Sequence, residues 1–148
     1  MNPIKDLQSD HRRLNLAISR IQQHVLDPEH RYFAEGRRSE ATEAVLRLVE
    51  SLIADLEMHE RRERESLYPL ILRRRPELRD AYAEIELEHR GLEAAAAQLK
   101  RIVQGELAAS NREIAKRVIH LLLMLKSHMR DEERHLFAPM ENVLQEAL

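Results

Sequence analysis

Apolar residues recur through most of the chain at alternating intervals of three and four positions, which is the spacing of the buried stripe of an amphipathic helix. The clearest stripe consists of Ile114, Val118, Leu121, Leu125, His128, Glu132 and His135. It becomes polar at His128 and Glu132, which lie one helical turn apart and therefore point the same way. This pattern predicts a helix that directs an imidazole and a carboxylate into the core.

Four such stripes predict four long helices and three connections. The predicted boundaries are an Asn2-Pro3 start and a Pro28 stop, a start near Ser39 and a stop at Arg75-Pro76, a start after Pro76 and a stop at Gly105, and a capping pattern at Ser110 to Glu113. The segment 28–38 is the longest predicted loop. Because proline disrupts helix hydrogen bonding, we expect kinks at Pro69 and Pro139.

The other stripes also contain ionisable residues. His11 lies on the first stripe, His59 and Glu63 on the second, and His89 on the third. His59-x-x-x-Glu63 repeats the spacing of the fourth stripe, and Asp10-His11 resembles Glu88-His89. The chain therefore has the pattern of a duplicated helical hairpin.

These ionisable residues are predicted to share one layer of an antiparallel bundle. At 1.5 Å rise per residue, His59 lies about 25 Å before a turn at Pro76 and His89 lies about 20 Å after it. Similar estimates bring His11 level with His59, and His128 level with His89. A single polar residue on a stripe is usually a hydrogen-bonded core residue, but six in one apolar layer require a compensating cation.

Composition supports an all-α fold. Hydrophobic residues make up 43% of the 148 residues and charged residues 34%, whereas aromatic residues make up 3% and glycine occurs 3 times. We predict a single domain over residues 1–148, folded as an up-down-up-down antiparallel four-helix bundle.

Charge and hydropathy narrow the choice of partners. The formal net charge of -2 gives no electrostatic basis for binding nucleic acid or an anionic membrane. The basic run Arg73 to Arg75 lies at a predicted helix end, where it complements the helix dipole. No apolar run approaches the roughly 20 residues that span a bilayer, and the start has no signal core, so a cytoplasmic protein is expected.

The absence of cysteine leaves histidine and carboxylate ligands, which suit iron, manganese or zinc. Ferritin-like di-iron bundles use Glu-x-x-His, and that spacing occurs here at Glu86/His89 and Glu132/His135. Glu86 lies off the third stripe, however, and the second helix has no such pair. The repeated order His-x-x-x-Glu indicates a different family.

The chain resembles the hemerythrin-like (HHE cation-binding) family over nearly its whole length. The matching motifs are His11, His59-x-x-x-Glu63 with Tyr68-Pro69, Glu88-His89, and His128-x-x-x-Glu132 with Phe137 and Pro139. This resemblance implies a hemerythrin-like bundle that holds two non-haem, carboxylate-bridged iron ions. It further implies that His11 and His59 ligate one iron, His89 and His128 the other, and that Glu63 and Glu132 bridge them.

The chain departs from the pattern of oxygen-carrying hemerythrins at two places. Ile85 stands where those proteins have another histidine one turn before His89, and Glu60 is a candidate replacement ligand because it follows His59 directly. Oxygen carriers also place the last carboxylate one residue later, at the position of Glu133. His135 is a candidate neighbour of the ligands, and Tyr82 a candidate lining of the access route.

Three classes of function follow. The leading hypothesis is a di-iron protein that binds O2 or another diatomic such as NO, or that senses oxygen, iron or redox state. The alternative is a di-iron enzyme for peroxide or NO turnover or for iron-centre repair. Oxygen-rich ligation favours the ferric state, which weakens the case for reversible O2 carriage and favours sensing or a redox reaction. A metal-free helical interaction module, acting through a protein partner or as a homo-oligomer, is the third.

Overall fold

The computed structural model describes residues 2–26 and 40–146, and the predicted loop 28–38 lies outside them. The α-helices are α1 Pro3–Leu26, α2 Glu40–Arg62, α3 Tyr68–Arg74, α4 Arg79–Val103, α5 Asn111–Glu132 and α6 Ala138–Glu146. The turns Glu63–Leu67 and Glu133–Phe137 have π-helical winding and join α2 to α3 and α5 to α6, and a 3-10 turn, Pro76–Leu78, precedes α4.

The predicted all-α four-helix bundle is confirmed. Helix α1 packs on α2, and α4 packs on α5. Contacts of α2 with α4 and of α1 with α5 close the ring. The two predicted hairpins therefore lie side by side around one core.

Helix ends agree with the capping residues in the sequence. Asn2 Oδ1 accepts from the N–H of Ile4 at 3.1 Å, and Ser110 Oγ accepts from the N–H of Glu113 at 3.1 Å. Gly105 follows α4 with φ of 77°, a left-handed conformation that favours glycine. These local interactions set the helix boundaries that the sequence predicts.

Each internal proline, where a kink is predicted, is preceded by a π-helical turn. In the first turn the N–H of Tyr68 donates to the carbonyl of Glu63, five residues back, and the second turn has the same pattern. A proline lies two residues after each turn. Because proline has no N–H and its ring crowds the preceding turn, regular α-winding is disfavoured there.

The π turns shift the buried positions by one residue. Leu136 is buried and His135 exposed, and in the first half Leu67 is buried whereas Ser66 is partly exposed. The prediction that His135 continues the buried stripe and lies near the ligands was therefore wrong. A strict three-four repeat cannot represent the extra residue of a π turn.

Two apolar clusters fill the core. The larger includes Leu14, Leu52, Leu92 and Leu125, and the smaller is formed by residues Ile4, Leu7, Leu67, Leu70, Ile71, Tyr82, Ile85, Leu136, Phe137 and Met140. On each long helix the predicted ligands lie between the residues of one cluster and those of the other. The ligand layer is thus covered by apolar side chains at both ends.

Gly105, in the turn after α4, and Gly91, within α4, are expected to respond oppositely to substitution by alanine. Gly105→Ala should destabilise the protein by about 1 kcal/mol, because its φ of 77° is strained for any residue with a Cβ. Gly91→Ala is the matched control. Its Cβ would meet only the flexible tip of Met124 at 3.3 Å, and the helix gains up to about 1 kcal/mol from alanine. Urea unfolding measures both, and equal effects would contradict this account of Gly105.

Candidate metal centre

The structure brings together six of the seven predicted ligands in one buried layer. Helix α1 contributes His11, α2 contributes His59, and α4 contributes His89. Helix α5 contributes His128, and the two carboxylates stand at the junctions with the π turns, four residues after His59 and His128. Each of the six is at most 2% exposed; they are His11, His59, Glu63, His89, His128 and Glu132.

The six side chains form two groups of four that share both carboxylates. His11 and His59 complete the first group, and His89 and His128 complete the second, with Glu63 and Glu132 common to both. Within each group the candidate ligand atoms lie within 4.8 Å of one another. Two adjacent four-ligand sites therefore share a pair of carboxylates.

Both shared carboxylates lie close to histidines of both groups. Glu63 Oε1 lies 2.8 Å from His59 Nε2, and Glu63 Oε2 lies 3.0 Å from His89 Nε2. Glu132 Oε1 lies 2.8 Å from His11 Nε2 and 3.4 Å from His128 Nε2, and its Oε2 lies 3.7 Å from His89 Nε2. This is the arrangement expected of carboxylates that bridge two cations.

A cation fits the donor set, because several of the central atoms lie close together without a hydrogen-bond partner. Among the described residues, both oxygens of Glu63, Oε2 of Glu132 and the Nε2 atoms of His89 and His128 are buried and have no hydrogen-bond partner. An unpaired buried carboxylate costs several kcal/mol. Their lone pairs converge on a common region, as the lone pairs of metal ligands do.

In each of the four predicted ligand histidines, the ring nitrogen opposite Nε2 faces a carboxylate. The Nδ1 atoms of His11, His59, His89 and His128 lie 2.9, 3.1, 3.0 and 3.3 Å from Glu133, Asp10, Glu86 and Glu88, respectively. Such carboxylates hold the proton on Nδ1, orient the ring and leave Nε2 free to ligate a metal. Four of four histidines thus have the support typical of ligands.

Asp10 is the most buried of these outer carboxylates, at 4% exposure. Its Oδ1 accepts hydrogen bonds from Arg13 and Arg62, while its Oδ2 faces His59. Burial raises the pKa of Asp10, but hydrogen bonds from His59 and Arg13 outweigh burial and hold it below the usual value. The carboxylate is therefore fixed in its charged form beside the imidazole.

Sequence reasoning did not assign the outer carboxylates, although their signal was present. The repeated pairs Asp10-His11 and Glu88-His89 marked two of the four. In each pair the acidic residue supports a histidine of the neighbouring helix, His59 or His128, rather than its own neighbour in sequence. Only the packing of the two helices reveals that relation.

Three other residues named in the sequence analysis, Glu60, Glu133 and Ile85, lie outside the two groups of four. Glu60 is buried with Oε1 unpartnered, and burial raises its pKa to about 7, yet it belongs to neither group of four. The Glu133 side chain is 50% exposed and faces Nδ1 of His11. Ile85 is a buried member of the smaller apolar cluster.

Protonation in the layer is governed by its carboxylates. Burial lowers the pKa of His59, but the neighbouring carboxylates of Asp10, Glu132 and Glu63 outweigh it and raise the pKa well above the usual value. For His89, the neighbouring carboxylates of Glu132 and Glu63 overcome burial and raise the pKa to about 11. Without metal, protons therefore take the place of the cation.

The fold and the buried histidine-carboxylate layer define a metal-binding four-helix bundle. The family model for the hemerythrin HHE cation-binding domain matches residues 2–140, and the chain belongs to that family. The search of curated proteins and the search of solved structures found no match to the chain. Within the described residues, no helix is long and apolar enough to cross a membrane.

The metal-free protein is expected to lose stability between pH 7 and pH 9. The raised histidine pKa values stabilise the fold fully below the unfolded value of about 6.5, and this stability is lost as pH rises toward the folded value of about 11 for His89. The slope is up to about 1.4 kcal/mol per pH unit for each proton held. Urea unfolding in the presence of a chelator measures it. Stability that stays constant or rises between pH 7 and pH 9 would contradict the raised pKa values of the buried histidines.

Asp10→Asn is expected to weaken metal binding by about 10-fold to 100-fold, because His59 loses the charged acceptor at Nδ1. Asp55→Asn, an exposed change of the same chemistry on α2, is the control and should leave the affinity unchanged. Competition with a chromophoric chelator measures both variants. Equal affinities would show that Asp10 does not support the ligand.

Proposed function

We propose that the chain binds two iron ions and acts as a single domain over residues 1–148. His11 and His59 would hold one ion, His89 and His128 the other, and Glu63 and Glu132 both. The observation that supports this proposal best is that Glu63 and Glu132 belong to both groups of four, with Glu63 presenting one oxygen to each group. The cysteine-free donor set suits iron.

We further propose that the physiological ligand is O2 or another diatomic such as NO, and that the protein binds or senses it. A bound iron pair supplies open coordination and reversible change of oxidation state. The chain itself supplies ligands oriented by outer carboxylates, and two apolar clusters that exclude water from the layer. A small uncharged molecule is the kind of ligand that such an enclosure admits.

An enzymatic role is the second candidate, with peroxide or NO turnover or iron-centre repair as the reaction class. The ligand layer favours it through its carboxylates: two are shared between the sites and Glu60 lies buried close by. Oxygen-rich ligation favours ferric iron. Repeated consumption of NO or peroxide with a reductant would indicate an enzyme, whereas stoichiometric, reversible binding would indicate a carrier or sensor.

Metal content after anaerobic loading with iron(II) tests the site. We expect about two irons per chain and a visible absorption spectrum that changes on exposure to air and reverts on reduction. Glu132→Gln should lose this stoichiometry, because it removes a ligand shared by both groups. Glu133→Gln, its matched neighbour, should keep two irons at saturating metal.

Three results would contradict the proposal. These are the absence of bound iron, one iron per chain in the unaltered protein, or equal metal content in the Glu132 and Glu133 variants. Stability that is indifferent to chelation would favour the metal-free interaction module instead.

A further inference from the structure

An open pocket on the surface of the bundle is lined by none of the predicted metal ligands. This pocket has a volume of about 660 Å³ and is lined by residues of the first π turn, α3 and α4. That size falls within the range of small-molecule sites. The residues that give it chemical character are Arg64, Tyr68, Arg79, Tyr82, Glu86 and Arg90.

The pocket concentrates positive charge that has no partner. Arg64, Arg79 and Arg90 are exposed, and within the part of the chain that the structure describes none forms an ion pair or hydrogen bond. Several arginines elsewhere, such as Arg13 and Arg62, bond to a carboxylate. Three free guanidinium groups around one recess raise the local concentration of anions and bind phosphate or carboxylate through paired N–H groups.

Among the described residues that line the pocket, the only carboxylate, Glu86, is already engaged. Glu86 faces Nδ1 of His89 at 3.0 Å, and its side chain is 30% exposed. It therefore neutralises the guanidinium groups only in part. It also connects the pocket to a predicted metal ligand through a single hydrogen bond.

The wall of the pocket is aromatic. The rings of Tyr68 and Tyr82 are stacked, with centroids 4.5 Å apart and planes inclined by 23°. Tyr82 is 4% exposed, and its hydroxyl is buried without a hydrogen-bond partner. Leu87, which is 61% exposed, adds apolar surface at the rim. An aromatic surface beside cations suits a flat ring.

We propose that this pocket binds a planar aromatic molecule that carries a phosphate or carboxylate group. The guanidinium groups of Arg64, Arg79 and Arg90 hold the anionic group, and the tyrosine wall packs against the ring. This site is separate from the proposed iron ligands and does not require that iron be bound. Glu86 connects a molecule bound in the pocket to the metal centre through its contact with His89.

Two matched probe pairs test the proposal by isothermal titration calorimetry. Flavin mononucleotide is compared with riboflavin, and 2-naphthoate with uncharged 2-naphthol, so that in each pair a hydroxyl group stands in place of the anionic group. At least one anion should bind about 10-fold or more tightly than its uncharged partner and than inorganic phosphate. Which anion binds distinguishes a phosphate-bearing from a carboxylate-bearing ligand, and binding should weaken with added salt.

Charge reversal locates the site. Arg79→Glu and Arg90→Glu should each weaken binding of the anion by about 10-fold to 100-fold, and Tyr68→Leu should weaken binding of the ring. Arg47→Glu reverses an exposed charge on α2 outside the pocket and should have no effect. Metal content is measured on the same samples, so a failure of iron binding is recorded separately.

The proposal is overturned if neither anion binds more tightly than its uncharged partner. It is also overturned if the pocket variants and Arg47→Glu bind alike. Circular dichroism establishes that each variant is folded before binding is measured.

Discussion

The mutual compensation of charge in one buried layer is the constraint on which the rest of the structure depends. Four imidazoles and two carboxylates lie at most 2% exposed between two apolar clusters. Such a layer is stable only if cations or protons balance the carboxylates, since a buried unpaired charge costs several kcal/mol. All four long helices contribute to this balance, so the layer ties the two hairpins together.

The two hairpins are related but not equivalent in how they support their histidines. Asp10 and Glu88 occupy corresponding positions and support His59 and His128 in the same way. The other two histidines are supported by carboxylates from different places in the fold. His89 is supported by Glu86 on its own helix, whereas His11 is supported by Glu133 from the other hairpin.

That difference follows from the residues at corresponding positions of the repeat. The first hairpin has Gln8 three residues before His11, where the second has Glu86 before His89. It has Arg64 after Glu63, where the second has Glu133 after Glu132. The second hairpin thus supplies both carboxylates, and the replacement in the first leaves Arg64 free to line the outer pocket.

Much of the fold and of the site can be predicted from the sequence, because both depend on short-range periodicity. Spacing alone placed His128 and Glu132 on a buried stripe, and Ser110 and Gly105 marked helix ends through local chemistry. Periodicity could not anticipate the π turns, since the extra residue depends on hydrogen bonds around Pro69 and Pro139. It also could not show which carboxylate faces which ring nitrogen, because those partners lie on different helices.

The π turn in each half of the bundle displaces the repeat of buried positions by one residue. Continued α-winding would place Ser66 and His135 on the buried side, but the buried residues are Leu67 and Leu136. Loss of a single residue within either turn would place Leu67 or Leu136 three residues after the carboxylate and keep the buried side in register with continuous α-winding. A change to α-winding without that loss would instead rotate the following helix by about 100°. Between a bridging carboxylate and its proline, winding and chain length must therefore change together.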